Sequence, residues 1–239
     1  MSKREQIRQR RIEERRRTIL TGAVIIAGVA LVITALIIFR TQAAISGIVT
    51  PDFYDYPDQT EGRTMGDPNA PVQIVEFSDF QCSACNFFHD ETLAQVVTNY
   101  VNTGEVFFTY RSFPVIDQSS ARKESHAAAL ASYCAAEQNR FWEYHDMLFA
   151  NRIGENAGSF TIPRLEAMAD TLELDSTFDQ CLSEEQYREQ LNQDIQLARE
   201  AGINSTPSFL INGRLVVGAL PFDQFAIEIE QALAEVEPQ

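Results

Sequence analysis

The sequence predicts an α/β domain of the order β-α-β, helical insertion, β-β-α, preceded by one N-terminal transmembrane helix. Three observations support this fold class. A run of 22 uncharged residues, 18–39, follows a basic N-terminus. Four short apolar runs, rich in β-branched and aromatic residues, have the length of buried strands. Between the second and third of these runs, residues 118–202 carry apolar side chains at helical spacing.

The N-terminal end combines a basic segment, residues 1–17, with the apolar run. Residues 1–17 carry eight basic and three acidic side chains, a net charge of +5. A helix over residues 18–39 would span roughly 33 Å at about 1.5 Å per residue, which is enough to cross a bilayer core. Basic residues favour the cytoplasmic side, so the rest of the chain is expected outside the cell membrane. A cleaved signal, including a twin-arginine signal, is the alternative, but the length of the apolar run favours a retained signal anchor.

Residues 40–65 are predicted to form a linker. They contain two glycines and two prolines and show no sustained hydrophobic period. The aromatic side chains between residues 53 and 56 offer a docking contact with the domain, so part of this linker is expected to be ordered.

The charge after the apolar run is strongly negative. From Thr41 onward the chain has ten basic and 31 acidic residues, a net charge of −21. Such a charge repels nucleic acid and anionic lipid surfaces. No nucleic-acid partner is therefore expected.

The folded domain is expected over residues 66–239. Its elements are predicted in this order: strand 72–77, helix 83–101, strand 106–111, the helical insertion over about 118–202, strands 208–211 and 214–217, and a closing helix 222–236. Within the insertion, Pro163 starts one helix, and another is expected from Ser183 to Ala201, closed by Gly202. Asn212-Gly213 is typical of a two-residue hairpin turn.

Two of the four cysteines, Cys82 and Cys85, lie where the first strand meets the first helix of the domain. Cysteines three apart at a helix start lie on one face and can close a small disulfide ring. Cys82 should lie near unpaired backbone N–H groups and the positive end of the helix dipole, both of which stabilise a thiolate. The thiolate is the nucleophile and the leaving group of disulfide exchange. Cys82 is therefore predicted to be the reactive sulfur, and Cys85, one turn further, the more buried resolving thiol.

Metal binding is the alternative for a CxxC pair. A zinc site usually needs a second close pair, whereas Cys134 and Cys181 are 47 residues apart with no cysteine beside either. None of the three histidines has ligand spacing to another, and each is expected to be packed or hydrogen-bonded. No metal and no other cofactor is predicted. A third hypothesis is a Cu(I)-binding chaperone, because the thiolates of a CxxC pair are suitable Cu(I) ligands.

The segments around the cysteines resemble the DsbA-like branch of the thioredoxin superfamily. Residues 75–85, VEFSDFQCSAC, are similar to its active-site segment, and residues 202–213, GINSTPSFLING, to the segment around its cis-proline. Residues 133–136 and 141–145 resemble parts of its helical insertion. The resemblance covers about residues 66–237 and implies a thioredoxin-like fold.

The resemblance also implies roles for single residues. Pro207 would be the cis-proline that faces the disulfide, and Thr206 would offer backbone hydrogen bonds to a substrate strand. Glu76, six residues before Cys82, would be the buried acid that takes the proton of the resolving thiol. The alternative for Glu76 is a strand-end side chain that reaches water.

The resemblance further implies a structural disulfide between Cys134 and Cys181. A second redox centre and two free thiols are the alternatives.

The dipeptide between the cysteines departs from many oxidising relatives, which carry a proline and a histidine or aromatic residue there. Neither Ser83 nor Ala84 can bring a positive charge to Cys82. Asp79 would oppose a thiolate if it were close in space. The helix dipole is worth roughly 0.3–2 kcal/mol, so the pKa of Cys82 is expected at about 7–8.

The sequence thus predicts a membrane-anchored thiol–disulfide oxidoreductase that acts on thiol-containing exported proteins. The leading hypothesis is a disulfide oxidase that works through a mixed disulfide. A quinone-linked membrane partner, DsbB-like or vitamin K epoxide reductase-like, would reoxidise it. A reductase, for example in cytochrome maturation, would use the same residues in the opposite direction. An isomerase is disfavoured because the short linker cannot supply a dimerisation domain.

Overall fold

The computed structural model describes residues 3–57 and 59–236 of the chain. Most of the predicted basic segment, the side chains of residues 1–15, lies outside the described residues. So do residues 237–239 at the end of the predicted domain. Nearly all of the predicted domain is therefore described.

The chain divides into two compact units, Met1–Ser46 and Gly47–Gln239. The first unit contains one helix, α1 (Lys3–Ile45). Its 21-residue stretch Ile19–Phe39 is the one part of the described chain that is long and apolar enough to cross a membrane, and none of it is buried. Because α1 runs to Ile45, it includes the first residues of the predicted linker, which corrects the expected linker start at residue 40.

Within the described residues, the second unit is built on one sheet of six strands in the order β1-β2-β4-β3-β5-β6. The central strand β3 runs parallel to β4 and antiparallel to β5, and the other neighbouring pairs are antiparallel. The strands are β1 (Thr60–Glu61), β2 (Thr64–Met65), β3 (Val72–Ser78), β4 (Val106–Ser112), β5 (Ser208–Ile211) and β6 (Arg214–Val217). The four strands that the sequence predicts all form, each within one residue of its expected bounds.

A long helix, α2, connects the parallel strands β3 and β4. It spans residues 83–101 and consists of Ser83–Phe88, the π-helical His89–Leu93, Ala94–Val96 and the π-helical Val97–Val101. A parallel pair needs such a crossover because the chain must return to the same end of the sheet. The helices after β4 are α3 (Glu124–Glu137), α4 (Phe141–Ala150), α5 (Ile162–Thr171), α6 (Thr177–Ser183), α7 (Arg188–Glu200) and α8 (Phe222–Val236).

The helical insertion, α3 to α7, is less continuous than the sequence predicts. Residues 151–161 form a loop. The helix expected from Ser183 to Ala201 is interrupted, since α6 ends at Ser183 and α7 begins at Arg188. Glu185 in the intervening turn has a φ of 49°, a left-handed conformation that a continuous helix cannot contain.

The hairpin of β1 and β2 lies inside the predicted linker and corrects the predicted domain start at residue 66. β2 pairs with β4 and so covers part of an edge that would otherwise be open. At the turn, Arg63 donates to Asp194 Oδ2 at 2.5 Å, and Arg111 donates to Oδ1 at 2.5 Å. Asp194 is fully buried, so these two cations offset the cost of burying its charge. Strands of two residues are too short to show an alternating pattern in the sequence.

Residues 49–56, called the strap below, pack on the helical insertion. The backbone N–H of Val49 donates to Asn151 Oδ1 at 2.8 Å, and Asn151 Nδ2 donates to the Val49 carbonyl at 2.7 Å. The hydroxyl of Tyr56 donates to Asp146 Oδ1 at 2.7 Å. The docking contact that the sequence offers through its aromatic residues is therefore made, and the strap belongs to the domain.

A disulfide joins Cys134 in α3 to Cys181 in α6, with Cα atoms 5.9 Å apart. Both cysteines are buried. This is the pairing that the resemblance implies, and it lies wholly within the helical insertion.

Candidate active site

The CxxC pair lies at the start of α2, shortly after the end of β3. Cys82 is the N-cap of α2, with φ −72° and ψ 127°, and its carbonyl accepts the Asn86 N–H at 3.1 Å. A turn before the helix is closed by the Cys82 N–H, which donates to the Asp79 carbonyl at 2.9 Å. Cys82 is partly exposed and Cys85 is fully buried, and both are free thiols. The structure thus presents one accessible sulfur at a helix start and one hidden sulfur a turn further.

The surroundings of Cys82 lower the pKa of its thiol to about 5. The largest cause is a hydrogen bond from the Cys85 thiol. Partial burial acts in the opposite direction, and the Thr206 side chain and the backbone N–H groups of Cys85 and Ala84 add further stabilisation of the thiolate. The pKa of about 7–8 expected from the sequence was too high, because the helix dipole was counted and the hydrogen bond from the Cys85 thiol was not.

The two sulfurs differ strongly in acidity. Burial raises the pKa of Cys85 well above its usual range, and the negative charges of Cys82 and Glu76 raise it further. At neutral pH the reduced site therefore holds a thiolate at Cys82 and a protonated thiol at Cys85. The sequence predicts a nucleophilic role for Cys82 and a resolving role for Cys85, and this difference in protonation suits those roles.

Pro207 and Thr206 lie directly beside Cys82. The Thr206–Pro207 peptide bond is cis. The Cys82 Sγ lies 3.4 Å from the Thr206 carbonyl oxygen, to which the thiol form donates. Both residues are buried where the chain enters β5, next to β3 in the sheet. The backbone before β5 is thus held against the reactive sulfur.

Glu76 lies in the middle of β3 and is 2% exposed. Its strand neighbours are Tyr110 on β4 and Phe209 on β5. Burial raises the pKa of Glu76 to about 7, although the Ser78 hydroxyl and the charge of His89 oppose the shift. The alternative hypothesis, in which Glu76 lies at a strand end and reaches water, is therefore wrong. A carboxyl group that titrates near neutral pH can both accept and return a proton.

Asp79 is a second buried carboxylate beside the cysteines, 2% exposed. It accepts hydrogen bonds from the Ser125 hydroxyl at 2.6 Å, from the Gln81 N–H at 2.9 Å and from the Ile116 N–H at 3.0 Å. Burial nevertheless raises the pKa of Asp79 to about 6, and the Cys82 charge adds to the shift. The two charges are therefore close enough to oppose each other, which is the condition under which Asp79 was expected to oppose the thiolate. The hydrogen bonds from Ser125 and Ile116 were not predictable from the sequence, because these residues lie 46 and 37 positions from Asp79.

One cluster in the described part of the chain has the composition of a metal site, namely His89, His145 and Asp146. Their ligand atoms lie within 4.8 Å of one another. However, Asp146 Oδ1 already lies 3.0 Å from His89 Nε2 and 3.2 Å from His145 Nδ1, and it accepts the Tyr56 hydroxyl. Burial lowers the pKa of His145 to about 4, and hydrogen bonds from the two histidines lower that of Asp146 to about 2 despite burial. The hydrogen bonds among these side chains, which lie beneath the strap, account for their close approach. Spacing in the sequence did not reveal the cluster because His89 lies in α2 and the other two lie in α4.

Comparison with known proteins identifies a protein family for most of the chain. A thioredoxin family model matches residues 58–231, about three quarters of the chain. Disulfide bond formation protein D of Bacillus subtilis is 26% identical over 174 residues, which cover 71% of this chain and 76% of that protein. The Na(+)/H(+) antiporter NhaA 1 of Salinispora arenicola is 26% identical over 178 residues, but these cover only 26% of that protein.

Two solved structures match the fold. The oxidised BdbD of Bacillus subtilis superposes with a TM-score of 0.64 at 24% identity, over 76% of this chain and 98% of that one. The alpha-DsbA1 of Wolbachia pipientis superposes with a TM-score of 0.62 at 22% identity, over 77% of this chain and 98% of that one. The predicted thioredoxin-like arrangement of strands and helices is confirmed.

Proposed function

This chain belongs to the thioredoxin family and is a DsbA-like thiol–disulfide oxidoreductase, and from this premise we propose that it is a disulfide oxidase for exported proteins. Cys82 is the nucleophile and leaving group, Cys85 the resolving thiol, and Glu76 the proton acceptor and donor. Thr206 and Pro207 hold the substrate chain beside Cys82. Disulfide bond formation protein D, the Bacillus subtilis relative, is named for the same kind of activity.

The observation that carries the proposal is the unequal acidity of the two sulfurs. The pKa of Cys82 is lowered to about 5, whereas that of Cys85 is raised well above its usual range. A stable Cys82 thiolate favours the reduced form of the pair, and so favours the transfer of its disulfide to a substrate. A reductase needs the opposite preference, because its dithiol must be the less stable form.

The reaction takes two electrons from a substrate dithiol. A substrate thiolate attacks Cys82, the Cys82–Cys85 bond breaks, and a mixed disulfide forms at Cys82. Cys85 leaves as a thiolate and takes the proton of Glu76. The second substrate thiolate then attacks the substrate sulfur of the mixed disulfide, which forms the substrate disulfide and releases Cys82 as a thiolate.

A disulfide-supplying partner must restore the Cys82–Cys85 bond after each turnover. We assign this role to a quinone-linked membrane protein, DsbB-like or vitamin K epoxide reductase-like. The Cys82 thiolate would attack a disulfide of that partner, and Cys85, having given its proton to Glu76, would displace the partner thiol. A membrane-held domain would stay close to such a partner.

The proposed topology follows from the apolar helix. Residues 18–39 form the membrane anchor, residues 1–17 stay in the cytoplasm, and the catalytic domain lies outside the membrane. The apolar, unburied stretch Ile19–Phe39 supports the anchor, and the basic residues before it support the orientation. The Cys134–Cys181 disulfide is proposed to be structural, because both cysteines are buried and it joins two helices of the insertion.

The direction of the reaction can be read from the redox state of the pair in cells. Acid quenching followed by alkylation of free thiols should find Cys82 and Cys85 mostly as the disulfide. A Cys85→Ala variant should accumulate mixed disulfides with exported proteins, and a Cys82→Ala, Cys85→Ala double variant should accumulate none. A pair found mostly as the dithiol would overturn the oxidase assignment in favour of a reductase.

A further inference from the structure

Four polar residues form a two-by-two group on the central strands. Glu76 and Ser78 lie two apart on β3, and Tyr110 and Ser112 lie two apart on β4. The parallel register pairs Glu76 with Tyr110 and Ser78 with Ser112. Because side chains alternate along a strand, all four project from the same face of the sheet. We call this group the polar block.

The polar block is buried and unsatisfied. Each of its residues is at most 2% exposed. Glu76 Oε2 and the three hydroxyl oxygens of Ser78, Tyr110 and Ser112 have no hydrogen-bond partner among the described residues. Buried polar groups are nearly always paired, so an exception calls for an explanation such as a catalytic role. The polar block contains four such unpaired polar atoms on adjoining residues.

Cys85 lies at one end of the polar block. Its Sγ accepts the backbone N–H of Asp79 at 3.5 Å, and Asp79 follows Ser78 directly in the chain. Ser78 is therefore the member of the block nearest this sulfur along β3, and Glu76 lies one step further along the same face. The Ser78 hydroxyl is close enough to both groups to lower the pKa of Glu76 and that of Cys85, although it makes no hydrogen bond of full geometry with either.

We propose that Ser78 relays the proton between Cys85 and Glu76. When Cys85 leaves the disulfide as a thiolate, the Ser78 hydroxyl gives its proton to the sulfur and takes the proton of the Glu76 carboxyl. One S–H bond forms, one carboxyl O–H bond breaks, and the serine ends neutral. Reoxidation runs the transfer in reverse. This inference rests on the proposed function, in which Glu76 supplies and receives that proton.

The relay works among other titratable groups that stay in place when Ser78 is changed. Cys82, the N-cap of α2, and His89 within α2 carry charges that act on Cys85 and Glu76 respectively. Asp79 adjoins the block in the chain. Tyr110 belongs to it, and the ring of His145 in α4 lies 5.2 Å from the Tyr110 ring. A Ser78 variant therefore removes the hydroxyl and keeps all of these charged and titratable side chains, and the measurement across pH shows any accompanying shift in the pKa of Glu76.

The test compares Ser78→Ala with Ser112→Ala in the full chain in detergent micelles. Ser112 is a matched control, since it is an equally buried serine on the same face, one strand away. The measurement is the rate at which dithiothreitol reduces the Cys82–Cys85 disulfide between pH 5 and pH 9. General acid catalysis contributes about 10²–10⁴-fold, so Ser78→Ala should slow the reaction at least about ten-fold at pH 7. Ser112→Ala should stay within about two-fold of the unchanged protein.

Two further variants connect the rate to the relay. Ser78→Thr keeps a hydroxyl and should recover most of the rate. A Glu76→Gln, Ser78→Ala double variant should be no slower than Glu76→Gln alone, because both changes interrupt one proton path. The thiolate absorbance of reduced Cys82 should keep its pH midpoint in the Ser78 variants, which separates a lost relay from a misfolded site.

The outcomes separate this inference from the proposed function. Equal rates for Ser78→Ala and Ser112→Ala, with a slow Glu76→Gln variant, would overturn the relay and leave Glu76 as the proton donor. A Glu76→Gln variant as fast as the unchanged protein would overturn both. A slow Ser78→Ala variant that Ser78→Thr does not rescue would also count against the hydroxyl.

Discussion

Replacing Glu76 with glutamine should stabilise the domain above pH 7 and change its stability little near pH 4. The reason is the burial of this carboxyl group in β3. Its pKa is raised from 4.5 to about 7 in the folded chain, a difference of about 2.5 units. At 1.36 kcal/mol per unit, the ionised carboxylate costs the folded state about 3 kcal/mol.

The sign of the effect follows from proton binding. Between about pH 4.5 and pH 7, the unfolded chain has released the Glu76 proton and the folded chain still holds it. The folded state therefore binds more protons, and the free energy of unfolding falls as the pH rises through this window. Below the window the carboxyl group is neutral in both states and costs nothing. Above it the full cost applies, and glutamine removes it.

The assay is urea unfolding of residues 47–239, the second compact unit, with Cys82 and Cys85 reduced. The free energy of unfolding of the Glu76→Gln variant should exceed that of the unchanged domain by about 3 kcal/mol at pH 8 and by a small amount at pH 4.5. Glu91→Gln removes an exposed carboxylate from α2 and controls for the loss of one negative charge. A gain of equal size at both pH values, or a loss at pH 8, would refute the burial argument.

Two further predictions concern the cysteines. The rate of iodoacetamide alkylation of Cys82 in the reduced chain should rise with a midpoint near pH 5, because donors around the sulfur lower its pKa to that value; a midpoint near pH 8 would contradict that arrangement. Replacing Cys134 and Cys181 together by alanine should lower the free energy of unfolding by roughly 4 kcal/mol, because their sequence separation of 47 closes a long loop. The alkylation midpoint should stay the same in that variant, and an unchanged urea midpoint would argue against a structural role.

The elements that depend on local pattern were predicted well from the sequence. The apolar runs gave β3 to β6 nearly to the residue, and Asn212-Gly213 gave the turn between the last two strands. The strand–turn–helix setting of the CxxC motif placed Cys82 at a helix start and Cys85 in the interior. Hydrophobic periodicity and turn chemistry act over a few residues, so both can be read directly from the chain.

The features that escaped prediction depend on contacts between distant residues. The hydrogen bonds that Asp79 accepts from Ser125 and Ile116 join residues 46 and 37 apart in the chain. The hairpin within the predicted linker is held by Asp194, which is 131 residues from Arg63. The residues between α6 and α7, 184–187, include no glycine or proline, so the sequence does not indicate that the helix is interrupted there. Position along the chain gives no information about such partners.

The strap and the hairpin determine where the domain can be separated from the N-terminal apolar helix. A cut at Gly66 would remove both, so the buried Asp146 would lose the Tyr56 hydroxyl and the buried Asp194 would lose Arg63, one of its two guanidinium partners. A cut ahead of Gly47 preserves every one of these contacts. Soluble versions of this protein should therefore be started well upstream of the first residue that any motif search would choose.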